Sequence, residues 1–270
     1  MPHPVWYEQA ELDLAALVEK VPLQKLASCY RSMLRDRTAL IDTIYEIHGA
    51  AFLARIGQAV DLHVPRRQGD KVNYDVRVEI GGVPVQADCK ARRDEFPFKP
   101  HLKDPEGGYI GSRATLDPND PAALGLTQGT GLGRNYVATP ESTVIRQRLA
   151  DALTQLPDAG VTMVLFAQVY GSREHLERAL FQGAPVCEFI IDNAARKVVG
   201  TEWRHVGSTV FGDSSFLRLS GVLWMRLWRL FGPMQYAYKL YINPNAATPI
   251  PATVVDAFEQ EIKRASSPDG

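Results

Sequence analysis

The pair Gly81-Gly82, set between two runs of alternating character, limits the folding choices of this chain more than any other feature. Two residues that tolerate positive φ make the tight loop of a β-hairpin, so Val72 to Ile80 and Val83 to Lys90 are expected to fold back on one another as antiparallel strands. With Ile80 opposite Val83, every later pair follows by counting outward, because paired numbers keep a constant sum. Asp75 then falls opposite Asp88, in the non-hydrogen-bonded kind of pair that brings side chains closer together. The other face carries Val72, Tyr74, Val76, Val78 and Ile80 with Val85, Ala87 and Cys89, a continuous apolar surface that agrees with this register.

Two carboxylates placed opposite one another repel, and a bound cation removes the repulsion. Oxygen ligands converging on one point suit a hard divalent ion, so Mg²⁺ is the expected metal, with Mn²⁺ as a substitute. Lys90 lies two residues beyond Asp88, on the same face and diagonal to Asp75, where its ammonium can stabilise charge or orient water. The competing reading makes Asp75 and Asp88 part of a solvated outer face with Asn73, Glu79 and Gln86, screened by Arg77.

The surrounding pattern supplies further elements. Apolar spacing predicts helices over Glu11 to Glu19, Leu23 to Arg35 and Thr38 to Ile56. Val60 to Val64 alternates as a first strand, ended by Pro65. Lys103 to Thr139 is rich in Gly, Pro, Asn and Asp and reads as a long irregular insertion. Thr139-Pro140 reads as an N-cap followed by proline at the first helical position, opening a helix to about Leu156. Val161 to Val169 is a buried strand by its continuous apolar, β-branched content. Beyond it, His175 to Leu180 reads as a short helix, Val186 to Ile191, Leu219 to Trp228 and Tyr236 to Ile242 as strands, Asn243-Pro244-Asn245 as a turn and Thr253 to Arg264 as a closing helix. The Trp and Arg content of Trp224 to Phe231 also fits a helix, or a segment for a membrane surface or partner.

An aspartate on the second strand, an acid-x-lysine triplet on the third and the order helix, three strands, helix, strand together resemble the PD-(D/E)XK nuclease superfamily. The matching residues are Asp75 and Asp88-Cys89-Lys90. Tyr74 stands where a proline often precedes the first aspartate, and the second acid is Asp where Glu is commoner. A second acid-x-lysine triplet, Glu261-Ile262-Lys263, sits in the closing helix, so the strand context carries the resemblance and the triplet alone does not.

The resemblance implies an α/β (α+β) fold: a restriction-endonuclease-like αβββαβ core with a mixed central sheet, N-terminal helices and additional C-terminal strands. It divides the chain into a helical extension (1–37), the core (38–170) with its insertion (103–139), and a C-terminal elaboration (171–270) packed on the same domain. Relatives often add a glutamate from the helix before the strands, and Glu46 is the candidate, on a helix that Gly49, Ala50 and Ala51 would let lie close to the sheet. Gln147 matches the place of an active-site glutamine in some relatives. Glu46 beside Asp42, and Gln147 between Arg146 and Arg148, also fit solvated helix faces. The implied function is Mg²⁺-dependent hydrolysis of phosphodiesters in nucleic acid, DNA above all. Asp75, Asp88, Glu46 and the Cys89 carbonyl would hold a metal that lowers the pKa of a bound water, with Lys90 positioning that water. The alternative is a nuclease-like fold without catalysis, serving as a nucleic-acid-binding or protein-assembly module.

Bulk properties set the partners. A net charge of -1 provides no global basic field, so nucleic acid must be gripped by a local patch. Arg92, Arg93, Lys99, His101 and Lys103 follow the third strand, with Arg113 and Arg134 in the insertion, and could track a phosphate backbone or simply be solvated. His48, His63 and His101 lack metal-ligand spacing and read as surface or core histidines. Three widely spaced cysteines fit neither a disulfide framework nor a zinc site, and a reducing cytoplasm is expected. The amino terminus lacks the pattern of a secretory signal, and no stretch is apolar for long enough to span a membrane. A homodimer is an admissible assembly.

Overall fold

Gly81 and Gly82 both take positive φ, 58° and 78°, and close the hairpin that the sequence predicts. The computed structural model describes residues 4–35, 40–67, 71–92, 102–103, 109–110, 132–138, 140–168, 173–192, 197–206, 209–228 and 235–266. In chain order the elements are α1 (Pro4–Val18), α2 (Leu23–Arg35), α3 (Leu40–Ile56), β1 (Gln58–Pro65), β2 (Asn73–Ile80), β3 (Val83–Arg92), β4 (Leu102–Lys103), β5 (Tyr109–Ile110), β6 (Leu132–Ala138), α4 (Pro140–Gln155), β7 (Val161–Gln168), α5 (Arg173–Phe181), β8 (Ala184–Asp192), β9 (Lys197–Val206), β10 (Gly221–Trp228), β11 (Gln235–Ile242) and α6 (Ala252–Ala265). They form two compact units: residues 1–93, 148–171 and 214–270 make the first, and residues 94–147 and 172–213 the second. Residues 171–270 are therefore shared between the two.

The first unit is built on a six-stranded mixed sheet in the order β1-β2-β3-β7-β10-β11. β1, β2 and β3 are antiparallel neighbours, β7 lies parallel to both β3 and β10, and β11 returns antiparallel to β10. Ile80 faces Val83 and Val76 faces Ala87, as counting from the glycine turn requires. Pro84 has no N–H to give, and it sits where its nitrogen points away from β2, before pairing with β7 begins at Val85.

α3 is the central helix. Twelve of its residues are buried, so it is apolar nearly all round, as a helix enclosed by other elements must be. Tyr45, Ile47, Ala50, Ala51, Phe52 and Leu53 pack in one core with Val76, Val78 and Ile80 of β2, Val85 and Ala87 of β3, and Met163, Leu165 and Ala167 of β7. The close approach predicted from its small residues is present. A Cβ on Gly49 would come within 2.7 Å of Leu165 Cδ1, and one on Gly57, just past the helix, would meet the Val78 side chain and lie 2.8 Å from the Glu79 carbonyl. β7 is buried at every position, which explains its unbroken apolar run.

Several expectations are corrected here. The insertion 103–139 is not wholly irregular: β6 pairs antiparallel with β8 from Leu132↔Asp192 to Ala138↔Val186, and β8 pairs in turn with β9 to make the sheet of the second unit. β9 has no counterpart in the sequence reading. Trp224 to Trp228 is strand, not helix. Trp224 and Leu227 are buried, and the indole N–H of Trp224 donates to Gln168 Oε1 at 3.0 Å, so these two residues are interior; residues 229–231 of that segment lie outside the described residues. Among the described residues no helix is long and apolar enough to cross a membrane.

Candidate metal centre

In a continued β2–β3 ladder, Tyr74 would accept the backbone N–H of Cys89, because those numbers keep the hairpin's sum. The paired register instead stops at Val76↔Ala87. Asp75 takes over as acceptor: the Cys89 N–H donates to Asp75 Oδ2 at 2.6 Å. The side chain thus replaces the backbone at the point where the two strands part. An extended residue turns its N–H and C=O to the same edge, so the Cys89 carbonyl also faces the β2 side.

Asp88 is completely buried. Lys90 Nζ lies 2.5 Å from Asp88 Oδ2, a close ion pair, and 3.4 Å from Gln155 Oε1 of α4. Burial of this kind excludes the solvated outer face as the setting of Asp88.

Glu46, on a helix with few polar positions, is nearly buried as well, with 11% of its side chain exposed, which removes the water-facing alternative. Its Oε1 lies 2.7 Å from His63 Nε2 of β1. His63 takes a positive φ of 48°, a conformation that costs a non-glycine residue roughly 1 kcal/mol or more and gathers at functional sites. Leu62↔Val76 and Val64↔Tyr74 bracket it opposite Asp75. One oxygen each of Glu46 and Asp75 and one ring nitrogen of His63 lie within 4.8 Å of one another, a spacing that can hold a metal ion. The rings of Tyr30 and His63 meet in a T-shaped arrangement with centroids 5.4 Å apart, and Tyr30 Oη is buried without a hydrogen-bond partner.

Electrostatics follow from this crowding. Burial, then the charge of Asp88 and then that of Glu46 hold the Asp75 carboxyl well above the ordinary carboxylate range. Burial also lifts Asp88, to about 6, against the pull of Lys90. Burial works against the Lys90 ammonium, but the charge and contact of Asp88, with Asp75 behind it, outweigh that and raise its pKa. Burial pushes the Cys89 thiol well up, so it is no thiolate ligand. Two buried carboxyls held above their ordinary range, one of them grouped with Glu46 and His63 at ligand spacing, fit a divalent cation.

Of the residues singled out in the sequence, Asp75, Asp88, Lys90 and Glu46 come together. Gln147 is exposed in the part of α4 that belongs to the second unit; the glutamine two turns further on, Gln155, is the one beside Lys90. His63, expected to be a surface or core histidine without a metal-ligand role, instead stands in the cluster that can hold an ion, because spacing along the chain does not register its meeting with Glu46 and Asp75 across elements; nothing in the sequence reading marks Tyr30 or Gln155. His48 is a core histidine, as expected, between Asp13 and Tyr238 at 2.7 Å from each. Arg93, Lys99, His101 and Arg113 lie outside the described residues, and Arg92, Lys103 and Arg134 are described only as strand backbone. Compared with protein-family models, with curated proteins and with solved structures, the chain matches none.

Proposed function

We propose that this chain is a metal-dependent nuclease that hydrolyses phosphodiester bonds in nucleic acid, with DNA the expected substrate, on a restriction-endonuclease-like core. The observation that carries this reading is the meeting of Asp75, Asp88, Lys90 and Glu46 where the β2–β3 ladder ends. The succession of α3, three antiparallel strands, α4 and a strand parallel to the third supports the same core.

Glu46, His63 and Asp75 would hold the cation, with Asp88 beside them and the Cys89 carbonyl turned to the same gap. A divalent ion such as Mg²⁺ or Mn²⁺ bound there supplies Lewis acidity and neutralises the carboxylates. Lys90, kept charged by Asp88, is the group to meet negative charge that grows on a phosphate oxygen in the transition state. The Lys90 ammonium also donates to Gln155 Oε1 at 3.4 Å. A Lys90→Ala variant is expected to lose roughly 10²-fold or more of Mg²⁺-dependent cleavage of plasmid DNA, the scale of a lost charge-stabilising donor. Undiminished cleavage overturns the assignment.

A second reading is a nuclease-like fold that binds nucleic acid or assembles with protein without catalysis. It is favoured by the ion pair itself, since Lys90 already neutralises Asp88. Calorimetry separates the two: absence of divalent-ion binding selects the second, and binding lost on Asp75→Asn selects the first.

A further inference from the structure

Leu26 and Tyr30 lie four residues apart on α2 and so share the face that the helix buries. A tyrosine in that position gives its ring to the core and needs a partner for its hydroxyl. The ring is accommodated: only 1% of Tyr30 is exposed, and it packs in one core with Leu26, Ile47 and Leu62. The hydroxyl is not, since Tyr30 Oη is buried without a hydrogen-bond partner. Two other buried phenols of the same core are satisfied. Tyr45 Oη donates to the Leu227 carbonyl at 3.5 Å, and Tyr238 Oη meets His48 Nε2 at 2.7 Å. An unpaired buried hydroxyl is destabilising, and phenylalanine would fill the position of Tyr30 without that cost.

The surroundings of this hydroxyl are the candidate metal ligands. α2 is tied to β1 by Lys25 Nζ, 3.8 Å from Asp61 Oδ1, and the Tyr30 and His63 rings meet with their planes at 82°. Burial is the largest influence on the Tyr30 phenol and raises its pKa, followed by the negative charge of Glu46 and then that of Asp75. His63, Glu46 and Asp75 are the residues whose ligand atoms gather within 4.8 Å of one another. Both carboxylates therefore bear on the phenol, yet neither accepts a bond from it. Glu46 Oε1 is engaged with His63 Nε2 at 2.7 Å, and Asp75 Oδ2 with the Cys89 N–H at 2.6 Å. A small polar group standing between them is what would satisfy the hydroxyl.

Resting on the metal-centre reading of these three residues, we infer that Tyr30 is a positioning residue for the ion: its hydroxyl hydrogen-bonds a water that completes the coordination of a divalent cation held by Glu46, His63 and Asp75. An octahedral ion with three protein ligands keeps water in its remaining positions. A side chain that fixes such an outer partner is worth about 10- to 100-fold in metal affinity. The bond brings no further charge to a site that already holds two carboxylates, because water donates to the neutral phenol oxygen. α2 belongs to the helical extension before the core, so this assignment makes the extension part of the centre. The orphaned hydroxyl is then a cost of the metal-free fold that ion binding removes.

Tyr30→Phe deletes the hydroxyl and keeps the ring against His63. Mn²⁺ is titrated calorimetrically into the full chain and its variants, and melting temperatures are taken in chelator. Tyr30→Phe is expected to bind Mn²⁺ about tenfold or more weakly. Its melting temperature in chelator should nevertheless rise, by about 2–4 °C, because an unpaired buried group is gone. A purely structural hydroxyl would move stability downward and leave the ion alone. Tyr238→Phe, which removes a hydroxyl already paired with His48, should behave in that second way. Equal Mn²⁺ affinity in wild type and Tyr30→Phe, or a melting temperature in chelator that does not rise, overturns the proposal. Loss of Mn²⁺ affinity in His63→Ala without loss in Tyr30→Phe leaves the centre standing and removes Tyr30 from it, whereas a wild-type chain that binds no Mn²⁺ overturns both. Mn²⁺ binding that depends on Tyr30 in a chain that cleaves no DNA upholds this inference and overturns the hydrolase reading.

Discussion

His63 Nε2 of β1 lies 2.7 Å from Glu46 Oε1 of α3, and each presents an atom within 4.8 Å of a ligand atom of Asp75. A nitrogen donor among carboxylates changes the preference of a metal site, because imidazole suits transition ions better than it suits Mg²⁺. His63→Ala is therefore expected to weaken Mn²⁺ about tenfold or more, roughly 1.4 kcal/mol, with a smaller loss for Mg²⁺. Calorimetric titration of both ions into wild type and variant checks this. Equal losses for the two ions would mean that His63 only orients Glu46.

The acids of the centre give the metal-free protein a pH dependence whose sign is fixed. Asp75 and Asp88 both have raised folded pKa values, Asp88 from 3.8 to about 6, so the folded chain holds protons that the unfolded chain releases. Their contribution is fully present below about pH 3.8 and is lost as pH rises through about 6 and, for Asp75, beyond. For Asp88 alone this corresponds to roughly 3 kcal/mol. The melting temperature in chelator is expected to fall between pH 5 and pH 7.5. Saturating Mg²⁺ should flatten the fall, since the ion replaces the protons. Asp88→Asn isolates the share of that group, and a fall identical with and without Mg²⁺ would dissociate the pair from any metal.

Lys90 and Asp88 are coupled more tightly than a surface pair. Lys90→Met strands the buried Asp88 charge, and breaking a buried pair from one side costs about 3–5 kcal/mol. The cost should be largest near pH 8 and smaller near pH 5, where Asp88 takes up a proton instead. The double variant Lys90→Met with Asp88→Asn removes both charges and is expected to regain most of the loss. Denaturant melts of the two singles and the double give the coupling directly, and additive losses would contradict it.

What was legible in the sequence is local or periodic. The hairpin was readable because Gly81 and Gly82 specify its turn without help from the rest of the chain, and the register then follows by counting. β7 and the long α3 were readable from period and length. Long-range choices were not. His63 occupies an alternating strand like any other residue, and nothing in Val60 to Val64 announces the positive φ that turns it toward Glu46. Gln147 and Gln155 are two turns apart on one helix, so periodicity favours neither, and the contact with Lys90 depends on where α4 ends against β3. Tyr30 reaches the site from α2, a helix whose pattern only says which face is buried. β6 was hidden because its partner, β8, lies some fifty residues away and the glycine and proline around it suggest loop. The stop of the β2–β3 ladder at Val76↔Ala87 was equally invisible, being a choice of the Asp75 side chain over the Tyr74 backbone.

Asp13 organises a second buried polar group that the candidate chemistry does not use. Its Oδ2 lies 2.7 Å from His48 Nδ1 and accepts from Gln9 Nε2 at 2.8 Å, and its Oδ1 accepts from Arg55 Nη2 at 2.8 Å. His48 Nε2 meets Tyr238 Oη at 2.7 Å, which carries the chain of contacts from α1 through α3 to β11. Burial alone would raise the Asp13 pKa, yet the charge and hydrogen bond of His48, with Gln9 and Arg55, lower it, so the carboxylate is satisfied. Asp13→Ala leaves three donors facing a void, and a loss of roughly 3–5 kcal/mol is expected. For a chain of this size that is a fall in melting temperature of about 6–15 °C. Glu46 and His48 are two residues apart on α3, about 200° around the helix, so they face different ways. Below its melting temperature the Asp13→Ala protein should therefore bind Mn²⁺ as the wild type does, whereas a joint loss of stability and Mn²⁺ affinity would make the two buried groups one functional unit.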